Sequence, residues 1–329
     1  MTKTPFPRIL KRIQKGLRVV LYHHIDEECS FTRQINVSTP PEVFESHLRR
    51  MALDYDFVSF DDVLSNNLPR RPLLVTFDDA YRSVLDNAAP ILKSFKIKPL
   101  FFLCTSPILT GEIILDNLLC HAENESPELL MKMCDFSEGN LTNQILKITM
   151  LNRTAAQRLE FRDELAAAMG SDARSLGESS KLYLKPEEIR TLADEYQFSF
   201  GGHTRSHVHV RALKGKELEE EITQPMEEIA RMTGSKVESF SFPFGNMKDG
   251  TGLALRHIHE HVQKVFYVHS RVNKQASDQF IFRSSIGSMK ADELGTELEA
   301  MNFLRRIVAG LKNNHPLTVH KTRNGTASE

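Results

Sequence analysis

The sequence predicts an α/β fold built around parallel strands. Three observations predict it. Short apolar runs of strand length alternate with segments of helical periodicity. One run, Leu73 to Phe77, is largely apolar, as expected of a strand covered on both faces. Polar residues capable of chemistry follow directly on several of these runs, and parallel sheets and barrels gather ligands at the carboxyl ends of their strands.

Taken in order, Val19-Val20-Leu21-Tyr22 reads as the first strand. Pro41 to Asp54 reads as a helix starting near Thr39 or Pro40, with Phe44, Leu48 and Met51 on one face. Phe57 to Phe60 is a short strand followed by a brief helix from Asp61, and Leu73 to Phe77 is the buried strand. Tyr81 to Phe95 is a helix and Pro99 to Cys104 the next strand. From about residue 107 to 182 helical patterns dominate, which predicts a helical insertion, with Ser171 to Ser180 as a loop. The alternation resumes with a helix from Pro186 to Tyr196, where proline near the start costs little. Phe198 to Phe200 is a strand, Lys216 to Met232 an acidic helix stopped at Gly234, and Phe240 to Phe244 and Val265 to Val268 are strands. Asp292 to Leu311 reads as a last helix, and 313–329 as a polar, flexible tail.

The composition is that of a soluble globular protein, with 40% hydrophobic and 26% charged residues. A net charge of -1 gives no reason to expect a nucleic-acid partner. Cys29, Cys104, Cys120 and Cys134 form no CxxC pair, which favours a reducing compartment. No apolar run approaches the roughly 18–20 residues that span a bilayer, and the N-terminus lacks a secretory h-region. These features predict a cytoplasmic location. Residues 1–18 add a qualification: Phe6, Ile9, Leu10, Ile13 and Leu17 recur at helical spacing opposite Arg8, Lys11, Arg12, Lys15 and Arg18. Such a segment either docks on the domain as a first helix or makes a weak peripheral contact with the inner membrane face.

The chemistry concentrates in four clusters. Thr76-Phe77-Asp78-Asp79 ends the buried strand, and His203-Thr204-Arg205-Ser206-His207 follows Phe198 to Gly202. Neighbouring residues leaving a strand point in different directions, so Asp78 and Asp79 can serve different partners. A carboxylate with two histidines makes a three-ligand metal site with open positions, and the second carboxylate is then free to act as a base on water. Thr204 can hydrogen-bond a ligand ring. Phe240-Ser241-Phe242-Pro243-Phe244-Gly245 ends in a turn able to aim N–H groups at an oxyanion. Leu21-Tyr22-His23-His24-Ile25 places a histidine at a strand end, either as a proton donor or as a satisfied core residue. The His257 to His261 run reads as a polar helix with solvated histidines.

These clusters, in this order, resemble the polysaccharide deacetylase family, also called carbohydrate esterase family 4. The resemblance runs from about Val19 to about Arg283 and implies a distorted (β/α)7-type barrel with the helical insertion, over residues 19–312. It implies Asp78 as base, a divalent metal (zinc in most members) on Asp79, His203 and His207, and the Phe244 N–H as an oxyanion donor. Many members carry an arginine two positions before the motif-three proline that tethers the base; here that position is Ser241. Arg283 is similar to a strand arginine of one branch and is a candidate partner for a site carboxylate. Phe244, Thr204 and Arg283 thus form the candidate substrate and oxyanion group. Ala80 replaces the usual glycine, and Leu317-Thr318-Val319-His320 has one residue too many for the fifth motif, which leaves His23 as the leading general acid.

The resemblance implies removal of an acetyl group from an N-acetylated sugar. The partner is then an acetylated sugar, a glycan precursor or a lipid-linked glycan. O-acetyl and N-formyl groups suit the same machinery. Two other readings stay open: an impaired relative that binds glycan or a protein partner, because of Ser241 and the unassigned general acid, and an iron-dependent oxygenase, because two histidines and a carboxylate also form that triad.

Overall fold

The computed structural model describes residues 16–134, 139–151, 153–245, 252–269, 272–275, 277–287, 289–290 and 294. The basic segment 1–15, most of the helix expected from Asp292 and the tail with its Leu317 to His320 motif lie outside the described residues.

Among the described residues, eight strands form one sheet: β1 Arg18–Tyr22, β2 Asp56–Phe57, β3 Pro72–Phe77, β4 Leu100–Leu103, β5 Ser199–Gly202, β6 Ser239–Ser241, β7 Lys264–Val268 and β8 Phe280–Ser285. Their order is β1-β8-β7-β6-β5-β4-β3-β2, and a further pairing of β1 with β3 closes seven of them into a barrel. That closing pair runs parallel from Arg18 opposite Leu73 to Tyr22 opposite Phe77. The short β2 extends from the start of β3, outside the ring. Helices surround the barrel, which is the expected (β/α)7 arrangement.

Side chains along a strand alternate between faces, and this alternation places the site. Val19, Leu74, Leu100, Phe102, Phe266 and Ile281 belong to a small cluster that fills the barrel, closed at its lower end by Leu17, Val58, Phe60 and Val63. The intervening residues Val20, Tyr22, Leu73, Val75, Phe77, Phe101 and Leu103 pack outward in the larger cluster beneath the helices. Two or four residues further along the inward rows come His23, Thr76, Asp78, Cys104, His203, Ser241 and Arg283. Their polar ends therefore share the upper mouth of the barrel, above an apolar floor.

Gly201 shows how tightly β5 fits its neighbours. A Cβ there would lie 2.4 Å from the Phe102 ring and 2.6 Å from Ser239 Oγ.

The insertion after β4 is helical, as expected. It begins with α1 Thr105–Thr110 and continues through α2 Leu115–Glu125, α3 Pro127–Cys134, α4 Leu141–Gln144 and α5 Ala155–Ala168 to α6 Ala173–Ser180. The last helix corrects the expectation of a loop at Ser171 to Ser180. Asp172 caps it by accepting from the N–H groups of Arg174 and Ser175. Gly177 lets it press against the Gly111 carbonyl, where a Cβ would come within 2.0 Å of the oxygen. Strand β8 has no counterpart among the strands expected from the sequence, although Phe280-Ile281-Phe282 is apolar enough to signal one. No helix among the described residues is long and apolar enough to cross a membrane.

Candidate active site

Each strand end supplies one part of the site. Backbone ladders run past the strands: Asp78 N–H donates to Tyr22 O, Cys104 N–H to Asp79 O and His203 N–H to Leu103 O. Asp79 then turns into the left-handed region, with φ of 76°. The turn separates the two carboxylates, sending Asp78 inward to an arginine and Asp79 toward two imidazoles.

Arg283 grips Asp78 with both ends of its guanidinium, Nη1 to Oδ1 and Nη2 to Oδ2, each at 2.6 Å. It also donates to Thr76 Oγ1 and Ser241 Oγ, and lies 5.0 Å over the Phe102 ring. Ser241 and Asp78 are themselves close, at 3.4 Å. Burial alone would raise the Asp78 pKa, but Arg283, followed by His203, holds it below the ordinary value. The tether that Ser241 cannot supply thus comes from β8, two strands away.

Asp79 Oδ1 faces His203 Nε2 at 3.5 Å and His207 Nε2 at 3.4 Å. This buried oxygen has no hydrogen-bond partner. His203 Nδ1 sits 2.8 Å from the Ser241 carbonyl. A carbonyl only accepts, so Nδ1 carries a proton and Nε2 is the nitrogen turned toward Asp79. His207 Nδ1 lies 3.2 Å from Asp116 Oδ1, a bent contact that falls short of an aligned hydrogen bond. Two imidazole nitrogens, each within 3.5 Å of one orphaned carboxylate oxygen, are donors of the kind that fit a divalent cation with open positions. Burial pushes the Asp79 pKa up, but His207 and His203 outweigh it and hold the carboxyl well below its usual range. Burial likewise pulls His207 down, and the Asp116 and Asp79 carboxylates raise it overall.

Cys104 offers a rival ligand, since its sulfur, Asp79 and His203 have ligand atoms within 4.8 Å of one another. Burial, then Asp79 and Asp78, push its thiol well above the ordinary value. The S–H already donates to the His203 carbonyl. A thiol must lose its proton to ligate, so His207 is the better third ligand.

His23 and Phe244 line a cavity of about 540 Å³ together with Asp78, Asp79, His203 and His207. Burial lowers the His23 pKa, with partial compensation from Asp79 and Asp78. Its neighbour His24 is the satisfied core histidine, with Nδ1 at 3.0 Å from Ser38 Oγ. Phe244 adopts a φ of 63°, and its ring stacks on His209 at 4.0 Å and tilts over His207 at 4.7 Å. A groove of about 660 Å³ bordered by Arg82, Arg174 and Lys181 is larger but lies away from these groups.

Arg283 pairs with a site carboxylate, as the resemblance implies, but it is buried and does not line the cavity. Thr204 is likewise buried away from the cavity, so its expected place in a substrate or oxyanion group is corrected. Arg283 lies beneath Asp78. Thr204 Oγ1 accepts from the Val208 N–H and braces the loop that carries His207. Sequence reasoning also missed Asp116, Arg158, His209 and Tyr81. For Asp116 and Arg158, the i, i+4 pattern and the strand-end rule carry no information about partners arriving from a helical insertion; Tyr81 and His209 each lie two residues past a proposed ligand and line the cavity.

The family model described as Polysaccharide deacetylase matches residues 65–259, more than half of the chain. No curated protein matches the chain in sequence. Among solved structures, it is similar to a polysaccharide deacetylase from Bacillus cereus, with 15% identity, a TM-score of 0.57 and coverage of 87% of this chain and 69% of that one. It is similar to the deacetylase PplD of Streptococcus pyogenes in complex with acetate, at 16% identity and TM-score 0.57, over 86% and 98% of the two chains. IcaB from Ammonifex degensii gives 18% identity and TM-score 0.57, over 87% and 98%. At these identities the likeness is one of fold. With the family match over three of its strand-end clusters, at Asp78, His203 and Phe244, the chain belongs to the polysaccharide deacetylase family and is a carbohydrate deacetylase.

Proposed function

We propose that the protein hydrolyses the N-acetyl group of an amino sugar, using a divalent cation, zinc by preference, held by Asp79, His203 and His207. The observation that carries this is the convergence of two imidazole Nε2 atoms on one unpartnered oxygen of Asp79, beside an Asp78 tied to Arg283. When bound, the cation would acidify water and polarise the amide carbonyl.

Asp78 takes the proton of the attacking water at a carboxylate oxygen. Arg283 keeps that carboxylate ionised and fixed in direction. Phe244 and its turn form the wall where the carbonyl oxygen becomes an oxyanion, and one such donor is often worth about 3–4 kcal/mol. His23, at the end of β1, gives a proton to the leaving nitrogen. The products are acetate and the free amine. The low pKa of His23 means that its proton is acquired in the site, helped by the two aspartates.

The substrate reading is an acetylated glycan or glycan precursor entering the 540 Å³ cavity, a size usual for small-ligand pockets. The basic segment before residue 19 supports a lipid-linked precursor met at the inner membrane face by a cytoplasmic protein. The impaired-relative reading draws on Ser241 and on the unassigned general acid; Arg283 in contact with Asp78 answers the first, and His23 in the cavity is the candidate for the second.

The test is acetate release from N-acetylglucosamine oligomers, with and without chelator, followed by zinc addition. Asp79→Asn should lose the cation, and Asp78→Asn should keep it while losing turnover. Turnover that survives both the chelator and Asp78→Asn sinks the proposal.

A further inference from the structure

Outside the strand-end clusters, the cavity wall holds one arrangement that the hydrolytic reading does not use. Asp116 of α2 and Arg158 of α5 are both buried, 4% and 2% exposed, and both reach His207. Asp116 Oδ1 faces ring Nδ1 at 3.2 Å. Arg158 Nη2 donates to the His207 carbonyl at 3.4 Å and meets Asp116 Oδ2 at 3.5 Å. The same guanidinium lies 5.5 Å over the Phe244 ring. We propose that Asp116 is a positioning residue that orients His207 for the cation, making the helical insertion a working part of the metal site.

The proposal rests on the metal-dependent reading above. Its argument is one of unmet valence. A carboxylate and a guanidinium buried side by side would be best served by a close, two-pronged pair. Here they stand at 3.5 Å, and each spends a contact on His207 instead. The imidazole is 8% exposed and lies between two carboxylates, Asp79 on the Nε2 side and Asp116 on the Nδ1 side. Neither Asp79 Oδ1 nor His207 Nδ1 has an aligned hydrogen bond. A cation at Nε2 resolves both at once: it occupies Asp79 Oδ1 and confines the ring proton to Nδ1. Asp116 is the acceptor placed there, completing a carboxylate–histidine–metal chain. The backbone is braced for the same purpose. His207 holds a φ of 54°, and Arg158 on its carbonyl fixes the loop from the insertion side.

Helices α2 and α5 thereby touch the site through one residue each. Cation binding and the packing of the insertion are then linked, because what straightens the His207 contact also tightens the helices behind it.

The experiment measures zinc affinity by competition with a fluorescent chelator, and backbone hydrogen exchange with and without zinc. Asp116→Asn should weaken zinc binding by about 10–100-fold while circular dichroism stays native. Because this variant strands the Arg158 charge, the double variant Asp116→Asn with Arg158→Met is measured beside it and should show the same loss. In the wild type, zinc should slow exchange in 115–125 and 155–168, and in Asp116→Asn it should not. Folded Asp116→Asn or double variant with wild-type affinity overturns the proposal, as does wild-type exchange that ignores bound zinc. Wild-type protein that binds no zinc overturns the parent reading instead, and is told apart from these outcomes by that measurement alone.

Discussion

Arg283 and Asp78 form a two-pronged ion pair at 2.6 Å on each side, wholly inside the barrel mouth. The arginine reaches the carboxylate from β8, passing Ser241 on β6, and touches that hydroxyl on the way. Removing one member of such a pair leaves a buried charge without compensation. Arg283→Met should destabilise the protein by about 3–5 kcal/mol in urea denaturation. It should also move the acid limb of the activity profile to higher pH, since burial alone raises Asp78 once Arg283 is gone. An unchanged limb in folded Arg283→Met would mean that Asp78 is not the titrating base.

His23 lines the cavity beside the proposed cation ligands and is not one of them in this reading. His23→Gln should therefore keep wild-type zinc content and lose turnover by about 10²–10⁴-fold. Metal analysis beside initial rates checks this. Loss of metal together with turnover would assign His23 to the ligand set.

Proton and cation compete for His207. Its pKa is raised above 6.5, after burial is outweighed by Asp116 and Asp79, so zinc must displace a proton at low pH. Zinc affinity should fall as pH drops through and below this raised value, in titrations between pH 5.5 and 8. The sign reverses for the metal-free fold. A raised histidine stabilises fully below the unfolded value near 6.5, and that contribution disappears as pH rises through the folded value. The depressed Asp116, burial being outweighed chiefly by His207, stabilises above the unfolded carboxylate value and loses this as pH falls through its folded one. Melting with chelator should thus weaken on the alkaline side while zinc binding strengthens there. Parallel trends would exclude the assigned proton.

Gly201 sits where β5 passes Phe102. Gly201→Ala should cost about 1–3 kcal/mol by overpacking, since its Cβ would meet the ring at 2.4 Å. It should also shift His203, two residues on, and weaken zinc binding. Denaturation and zinc titration on the same preparation test the link, and a stability loss with intact affinity would break it.

The strand alternation was legible in the sequence because parallel strands read as apolar runs bounded by polar ends. The same rule located Asp78, Asp79, His203, His207 and Phe244 at one mouth. It did not by itself place Arg283, which only the family resemblance pointed to and whose partner lies 205 positions away in sequence. Nor could it find Asp116 and Arg158, which sit within helical patterns whose burial looks like ordinary core until the third dimension brings them to His207. Thr204 was misread for a related reason: a hydroxyl beside a ligand histidine looks like a ring partner, and here it braces the backbone.

Asp79, Thr204, His207 and Phe244 all hold positive φ without being glycine. Each such conformation costs on the order of 1–3 kcal/mol. The barrel therefore carries a local debt at the points where its loops bend into the reaction chamber. That strain is held in place by side-chain contacts, the Thr204 hydroxyl on Val208 and the Phe244 ring on His209, so stripping either side chain to glycine should free the loops and blunt catalysis together.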